Sequence, residues 1–593
     1  MTSLLRTTAG ILLLAGLTGC GSSNELGQVS IPVTETRAGT ERQVVIPSPF
    51  DGADISFQLF EPDQLVTGQS YPLVLEGHGY AGARRTVREG FIARLTAAGY
   101  YVISIDQRGF GASGGTVRVM GPETEGADLV AILDWAESLP GLQRRGNGEM
   151  LVGSYGGSYG GMYQLLLAGA DPRQRLRVLA PDITPHNLVY ALNPQNVIKS
   201  GWALVLVAGG EASGVTSLLQ GVAPTGTNQD TAIIETLLQG SLTNVFPEAG
   251  KAYFDYHSVS YFCRGEPARP QDFILARPDA GTVPPSAFAP IDVLLTQGFL
   301  DTLFNFNDGL NNYDCLRERG GDVRLLTHQS GHILPVALPD DALTALDPFF
   351  AALTIPQFQA AGGSRRCGSL NLDDVQFAWF EEKLRGQSGA VDAALPIGQE
   401  PCISLAEDDA ITVREIKRGG SSFEIASTVP QFNSVLGVVG SLLGSEAREL
   451  LLADQILMTM AQDSILAGLP LLNITVSSAG GLPVLDDCPT PLALGACDPI
   501  YFVGLGRRPA GQSRWVLIDD QVTPIRGFGT HEVAMNGVAE RLQAGDELGL
   551  LIYGFHAQFP ITWSRDLILP ATTLSGQVEV PLLSPGEITA EGV

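Results

Sequence analysis

Residues 149–170 read EMLVGSYGGSYGGMYQLLLAGA: an apolar run of strand length, a glycine-dense turn, then an apolar run of helix length. Five glycines fall within nine residues, 153–161. Each would weaken a regular element through lost backbone entropy, so their density marks a turn bent into one unusual shape. The surroundings repeat the same alternation. YPLVLE (71–76), YYVISID (100–106), LRVLA (176–180), IDVLLTQG (291–298) and VRLLT (323–327) read as further buried strands. Residues 84–98, 123–138, 159–170 and 372–386 read as helices, and Leu129, Ile132, Leu133 and Ala136 share one face of the second. Apolar strands alternating with helices require a mainly parallel sheet covered on both faces, an α/β domain.

At 593 residues the chain exceeds what one hydrophobic core serves. RQVVIP and ADISFQLF flank Asp51-Gly52 as a hairpin ahead of the β-α units. Between the strands at 180 and 291 lies an insertion, about 185–288, with apolar helical runs such as WALVLVAGG and TAIIETLLQG. It is too long for a plain loop and reads as a helical cap. After 400 the texture changes to short alternating runs such as LNITVSS and RWVLIDD, an all-β sandwich or jelly roll. The expected division is residues 41–390 for the α/β domain and 400–593 for the β domain.

The formal charge of −27 argues against nucleic acid as a partner, because phosphate binding needs clustered Lys and Arg. Residues 1–19 carry one Arg and an apolar core around Ile11–Leu14, an export signal too short to span a membrane. Its end, Leu17-Thr18-Gly19-Cys20, resembles the lipobox of bacterial lipoproteins, with Cys20 the lipidated residue and residues 20–40 a tether. The expectation is a protein anchored to a bacterial membrane by lipid. Setting Cys20 aside leaves six cysteines, an even number for an oxidising compartment. Sequence alone leaves their connectivity open. The preferred pairs are Cys263–Cys315, Cys367–Cys402 and Cys488–Cys497, with the second expected to staple the two domains together. No spacing suggests a zinc site, and no metal is expected.

With a strand before it and a helix after it, Gly156-Gly157-Ser158-Tyr159-Gly160 fits G-x-S-x-G, the nucleophile elbow of α/β-hydrolases. Ser154 does not fit, because Val152 stands where its first glycine should be. A phosphate loop would follow its glycines with Lys and Ser or Thr, whereas Met162-Tyr163 follow here. A serine needs a general base and a carboxylate to orient that base, in the chain order Ser, acid, His. Asp301 follows the strand IDVLLTQG and His332 follows VRLLT, both past strand ends on the elbow's edge. Asp182 and His328 are rivals for the two roles, and Asp308 is a capping or solvent-facing residue. His186 and His257 fall in the cap, and His531 and His556 in the β domain. Oxyanion donors are expected from the N–H of Tyr159 and from the loop Gly77-His78-Gly79-Tyr80.

Taken together, DQRGFGASGG (106–115), ETEGADLVAILDWAES, GGSYGG, GFLD, SGH and the closing WFEEKLRG resemble the cocaine esterase / X-prolyl dipeptidyl peptidase family of α/β-hydrolases. The resemblance covers nearly all of the chain after the export signal. It implies an α/β-hydrolase domain with a cap, a C-terminal jelly roll and the triad Ser158, Asp301, His332. It also implies the Tyr80 hydroxyl as the second oxyanion donor, although His78-Gly79 departs toward the His-Gly of lipases. The expected activity is hydrolysis of a small ester through an acyl-enzyme, without metal or organic cofactor. X-prolyl dipeptidyl peptidase activity is the alternative within the same chemistry. A non-catalytic surface-binding lipoprotein is the alternative of another class.

Overall fold

The structure is a computed structural model that describes residues 35–219, 228–264, 288–333, 365–430, 432–433, 449–480, 484–485, 497–560, 568–569 and 571–593. Residues 1–19, Cys20 and Cys488 lie outside the described residues.

One sheet organises the N-terminal half. Its strands are β1 (Glu41–Pro47), β2 (Asp54–Phe60), β3 (Leu73–Gly77), β4 (Tyr101–Ile105), β5 (Val152–Gly157) and β6 (Leu176–Asp182). They continue as β7 (Asp292–Gly298), β8 (Val323–His328), β9 (Cys402–Ala406), β10 (Asp409–Val413) and β11 (Ile588–Glu591). The spatial order is β1-β2-β4-β3-β5-β6-β7-β8-β9-β10-β11. Pairing is parallel from β4 through β9 and antiparallel at both ends. Side chains alternate across the sheet: Leu73 and Leu75 join one core layer and Val74 the other. Helices α1 (Gly90–Ala97) and α10 (Leu372–Arg385) cover one face. Helices α2 (Glu125–Ala136), α3 (Tyr159–Ala170) and α9 (Phe306–Arg319) cover the other. The insertion supplies α4 (Leu188–Leu192), α5 (Ser200–Leu219), α6 (Thr231–Thr243), α7 (Glu248–Tyr256) and α8 (Val259–Arg264). No helix among the described residues is long and apolar enough to cross a membrane.

The helix expected over 84–98 starts only at Gly90. The reason is local: Arg84 N–H donates to Asp106 Oδ1 and Arg85 N–H to Ser104 Oγ, so side chains at the end of β4 capture the backbone donors a helix would use.

Apart from four two-stranded pairs, the remaining described strands form two antiparallel sheets. Ser421–Val429, Thr572–Val580, Leu471–Ser478 and Gly529–Ala534 make one; Glu449–Thr459, Glu547–His556 and Ile500–Arg508 lead the other. Ile425, Ile474 and Val578 of the first share a core with Val503, Leu505 and Leu550 of the second, as in a sandwich. The expected start of this region at 400 needs correction, because β9 and β10 extend the eleven-stranded sheet and β11 returns to its edge. Their alternation suits either sheet, and sequence pattern carries no record of which partner a strand chooses.

Cys263 pairs with Cys315, tying α8 to α9, and Cys367 pairs with Cys402 across Cα atoms 6.4 Å apart. Both are expected pairs. Because Cys402 opens β9, however, the second bridge closes within the domain of the eleven-stranded sheet and does not staple two domains together. Cys497 is disulfide-bonded, and its expected partner Cys488 lies outside the described residues.

Candidate active site

β5 ends at Gly157 and α3 begins at Tyr159, so Ser158 is the hinge between them. Its φ of 59° and ψ of −122° lie in a region that costs an L-residue on the order of 1–3 kcal/mol. Backbone bonds hold it there: Ser158 N–H donates to Asp182 O at 2.9 Å, while its carbonyl accepts from Met162 N–H and Thr184 Oγ1. The glycines of the motif are required by close approach. A Cβ on Gly156 would sit 2.5 Å from Gly77 O, and one on Gly160 would sit 2.2 Å from the same oxygen. Ser154 lies inside β5, fully buried, donating to Gln164 Oε1. Gln164 also reaches Gly156 O, Gly160 O and Ala180 N–H, bracing the turn from beneath. Sequence reading passed over this glutamine, whose one signal was a polar residue inside an apolar helix.

Asp301 and His332 come together. His332 Nδ1 donates to Asp301 Oδ2 at 2.5 Å, and Asp301 Oδ1 accepts from the N–H groups of Leu303 and Phe304. With Nδ1 as donor, Nε2 is the acceptor in the neutral ring and has no partner among the described residues. The imidazole packs edge-on against Phe304 at 5.2 Å and Trp202 at 6.0 Å. Phe304 and Ser158 line one cavity. No hydrogen bond joins Ser158 Oγ to His332; such catalytic contacts commonly tighten only in the complex with substrate.

A second histidine–aspartate pair stands beside the first. His328 Nε2 donates to Asp182 Oδ1 at 2.9 Å, and its Nδ1 accepts from Ser330 N–H and Oγ. Both ring nitrogens are committed inside the protein. His328, Arg365 and the Thr296 hydroxyl hold the Asp182 carboxyl well below the usual carboxylate range. The geometry brings Asp182 to the floor of the elbow and keeps it from His332.

The two oxyanion candidates differ. Tyr159 N–H belongs to the first turn of α3 and has no backbone acceptor. The Tyr80 hydroxyl donates to Gln229 Oε1 at 2.6 Å. That amide's orientation is fixed, because Gln229 Nε2 faces Val207 O at 2.7 Å and the Glu211 carboxylate. Gln229 belongs to the cap and was not among the sequence candidates. His78 Nε2 accepts from Gln107 N–H, so Nδ1 carries the hydrogen it donates to Gly79 O. Burial pushes its pKa down, and the neutral ring serves to shape the loop that presents Tyr80.

The other candidates are structural. His186 bonds Asn312, and burial pushes His257 down to about 3. His531 bonds Gly527 O, and His556 sits 3.5 Å from Asp520. Asp308 is neither capping nor solvent-facing. It is fully buried in α9, accepts from His186 N–H and Asn187 N–H, and burial pushes its carboxyl up. Lys199, buried nearby and pushed down by burial, donates to Thr302 O and Leu303 O. No cluster of three His, Cys, Asp or Glu side chains suited to a metal occurs among the described residues.

The cavity at Ser158 is narrow, ≈ 40 Å³, and walled in large part by the cap. Val119, Met162, Leu206, Ile233, Leu237 and Phe254 form much of its wall, and no charged side chain lines it among the described residues.

Residues 51–216, which include the elbow, match the family model described as X-Pro dipeptidyl-peptidase (S15 family). An uncharacterised 31.7 kDa protein of Escherichia coli, from the traX-finO intergenic region, is 30% identical over 103 residues. That alignment spans 17% of this chain and about a third, 34%, of the relative. Among solved structures, an aminopeptidase from the marine sediment archaeon Thaumarchaeota archaeon superimposes with a TM-score of 0.55 at 13% identity. It covers 95% of this chain and 100% of that one. A CocE/NonD family hydrolase from Staphylococcus aureus gives 0.53 at 10% identity, covering 92% and 94%. The resemblance drawn from the motifs is borne out, and the α/β-hydrolase fold with an all-β region is shared along nearly the whole chain.

Proposed function

We propose that this chain is a serine hydrolase that cleaves esters of apolar acyl groups, with Ser158 as nucleophile, His332 as base and Asp301 as its orienting acid. Ser158 Oγ attacks the acyl carbonyl carbon and passes its proton to His332 Nε2. His332 returns that proton to the departing alkoxide as the C–O bond breaks. Water then repeats the sequence on the acyl-enzyme, releasing the carboxylic acid and restoring Ser158. Tyr159 N–H meets the oxyanion. Tyr80 joins it once its hydroxyl leaves Gln229, so engagement of the second donor is coupled to the cap.

The observation that carries the choice of ester is the cavity wall. A dipeptidyl peptidase must hold a free amine, which calls for a carboxylate or a ring of carbonyls, and the described wall around Ser158 is mainly apolar and carries no carboxylate. X-prolyl dipeptidyl peptidase activity is kept as the second reading because the matched family model carries that description. A panel of nitrophenyl esters of increasing acyl length, assayed beside Xaa-Pro anilides, separates them. The expected result is turnover of short apolar esters with little anilide cleavage; the reverse preference overturns the ester reading. Export and lipid attachment at Cys20 belong to the same proposal, supported by the leader's composition, and globomycin-sensitive processing tests them.

A further inference from the structure

We infer that Gln521, from the all-β region, is a positioning residue for the catalytic acid. The inference rests on the triad proposed above. The loop that carries Asp301 runs from Phe299 to Phe304 between β7 and α9. Gln521 Nε2 donates to Phe299 O at 2.9 Å and to Asp301 O at 3.0 Å, so one amide holds the carbonyls on both sides of Leu300. Gln521 is 2% exposed, and its orientation is set from behind. Asn536 Nδ2 donates to Gln521 Oε1, and Asn305 Nδ2 donates to Asn536 Oδ1, each at 3.0 Å.

The short segment presenting Gln521 is itself held in an unusual shape. Asp519 and Asp520 have φ of 55° and 56°, the left-handed region that side chains other than Gly, Asn and Asp avoid. Lys199 grips the same loop from the cap, donating to Thr302 O and Leu303 O, while Thr302 N–H and Oγ1 both reach His332 O. The acid loop is therefore clasped by side chains from two regions outside the catalytic sheet. A ring nitrogen 2.5 Å from Asp301 Oδ2 has little tolerance for displacement, so slack in this loop reaches the base directly.

The test compares Gln521→Met, which keeps bulk and removes both donors, and Gln521→Ala with a control at the same interface. Asn307 bonds Met535 O and Gly537 N–H across that interface without touching the acid loop's carbonyls. Ester turnover is measured per folded molecule, with the melting temperature recorded for every variant. Gln521→Met and Gln521→Ala are expected to lower kcat roughly tenfold to a hundredfold with KM within twofold. Asn307→Ala is expected to lose comparable stability while keeping kcat. Equal kcat in all variants, or equal losses in the Gln521 and Asn307 variants, overturns the assignment. So does failure of both Gln521 variants to fold while Asn307→Ala folds. Wild-type enzyme without ester turnover or fluorophosphonate labelling would instead remove the functional reading itself.

Discussion

The pairs Asp301–His332 and Asp182–His328 stand on neighbouring strand ends of one sheet edge, and each joins a buried imidazole to a carboxylate at hydrogen-bond distance. What separates them is the other ring nitrogen. His328 spends its Nδ1 on Ser330, two residues away, so the pair closes on itself. His332 offers Nε2 to no described group, and its ring rests on Phe304, a wall of the cavity that contains Ser158. Of the two pairs, the one whose far nitrogen is free to meet Ser158 is the one proposed as catalytic, and the pair closed by Ser330 is a structural brace.

The largest expected difference between the pairs lies in turnover. His332→Ala should lower kcat about 10⁴-fold or more, as Ser158→Ala should, because triad members act as a unit. His328→Ala should retain ester turnover within about tenfold per folded molecule and lose on the order of 2 kcal/mol of stability. Steady-state kinetics with thermal melts read both, and a worse kinetic defect in His328→Ala would invert the comparison.

Next in size is the effect on the carboxylates. Asp301→Asn should cost about 10³-fold to 10⁴-fold in kcat by presenting an N–H toward His332 Nδ1. Asp182→Asn should act on the melting temperature, since Asp182 holds His328 and the Thr296 hydroxyl. Equal kinetic losses in the two would mean that the elbow depends on both pairs.

Tyr80→Phe sharpens the comparison from the oxyanion side. Loss of one donor should lower kcat about a hundredfold with KM nearly unchanged. Unchanged kcat would place the second donor elsewhere in the 77–80 loop.

The smallest effect belongs to a carboxylate that has no histidine. Asp519 is half-buried, accepts from Ala539 N–H, and loss of solvent around its carboxyl pushes it up to about 8. Folding therefore takes up a proton between the ordinary carboxylate range and about pH 8. Its contribution to stability is full below the unfolded value and fades as pH rises through the folded one. Asp519→Asn keeps an acceptor for Ala539 and removes the titration. Its stability curve should be flatter from pH 5 to 8, with the variant gaining on the order of 2 kcal/mol at the upper end. Parallel curves would show that Asp519 stays ionised.

Much of this was legible in the sequence because it depends on local pattern. Strands β3 to β8, helix α3 and the elbow follow from apolar periodicity and from glycines at fixed offsets around Ser158. Asp301 and His332 were found by their place after strands. Three features were not legible. The choice of β9 and β10 to extend the catalytic sheet is a matter of partner, and alternation is the same for either partner. Gln229 and Gln521 lie 149 and 220 residues from Tyr80 and Asp301, the groups they hold, and a glutamine bears no mark of what its amide will meet. The burial of Asp308 was hidden because acidic residues in a first helical turn more often face solvent.

The central claim is that Ser158 is the nucleophile and that His332, of the two histidines, activates it. Fluorophosphonate labelling followed by peptide mapping tests both at once. Wild-type protein should carry one adduct on Ser158, His328→Ala should label at close to the wild-type rate, and His332→Ala should label at least a thousandfold more slowly. An adduct on another serine, or fast labelling in His332→Ala with slow labelling in His328→Ala, would contradict the account.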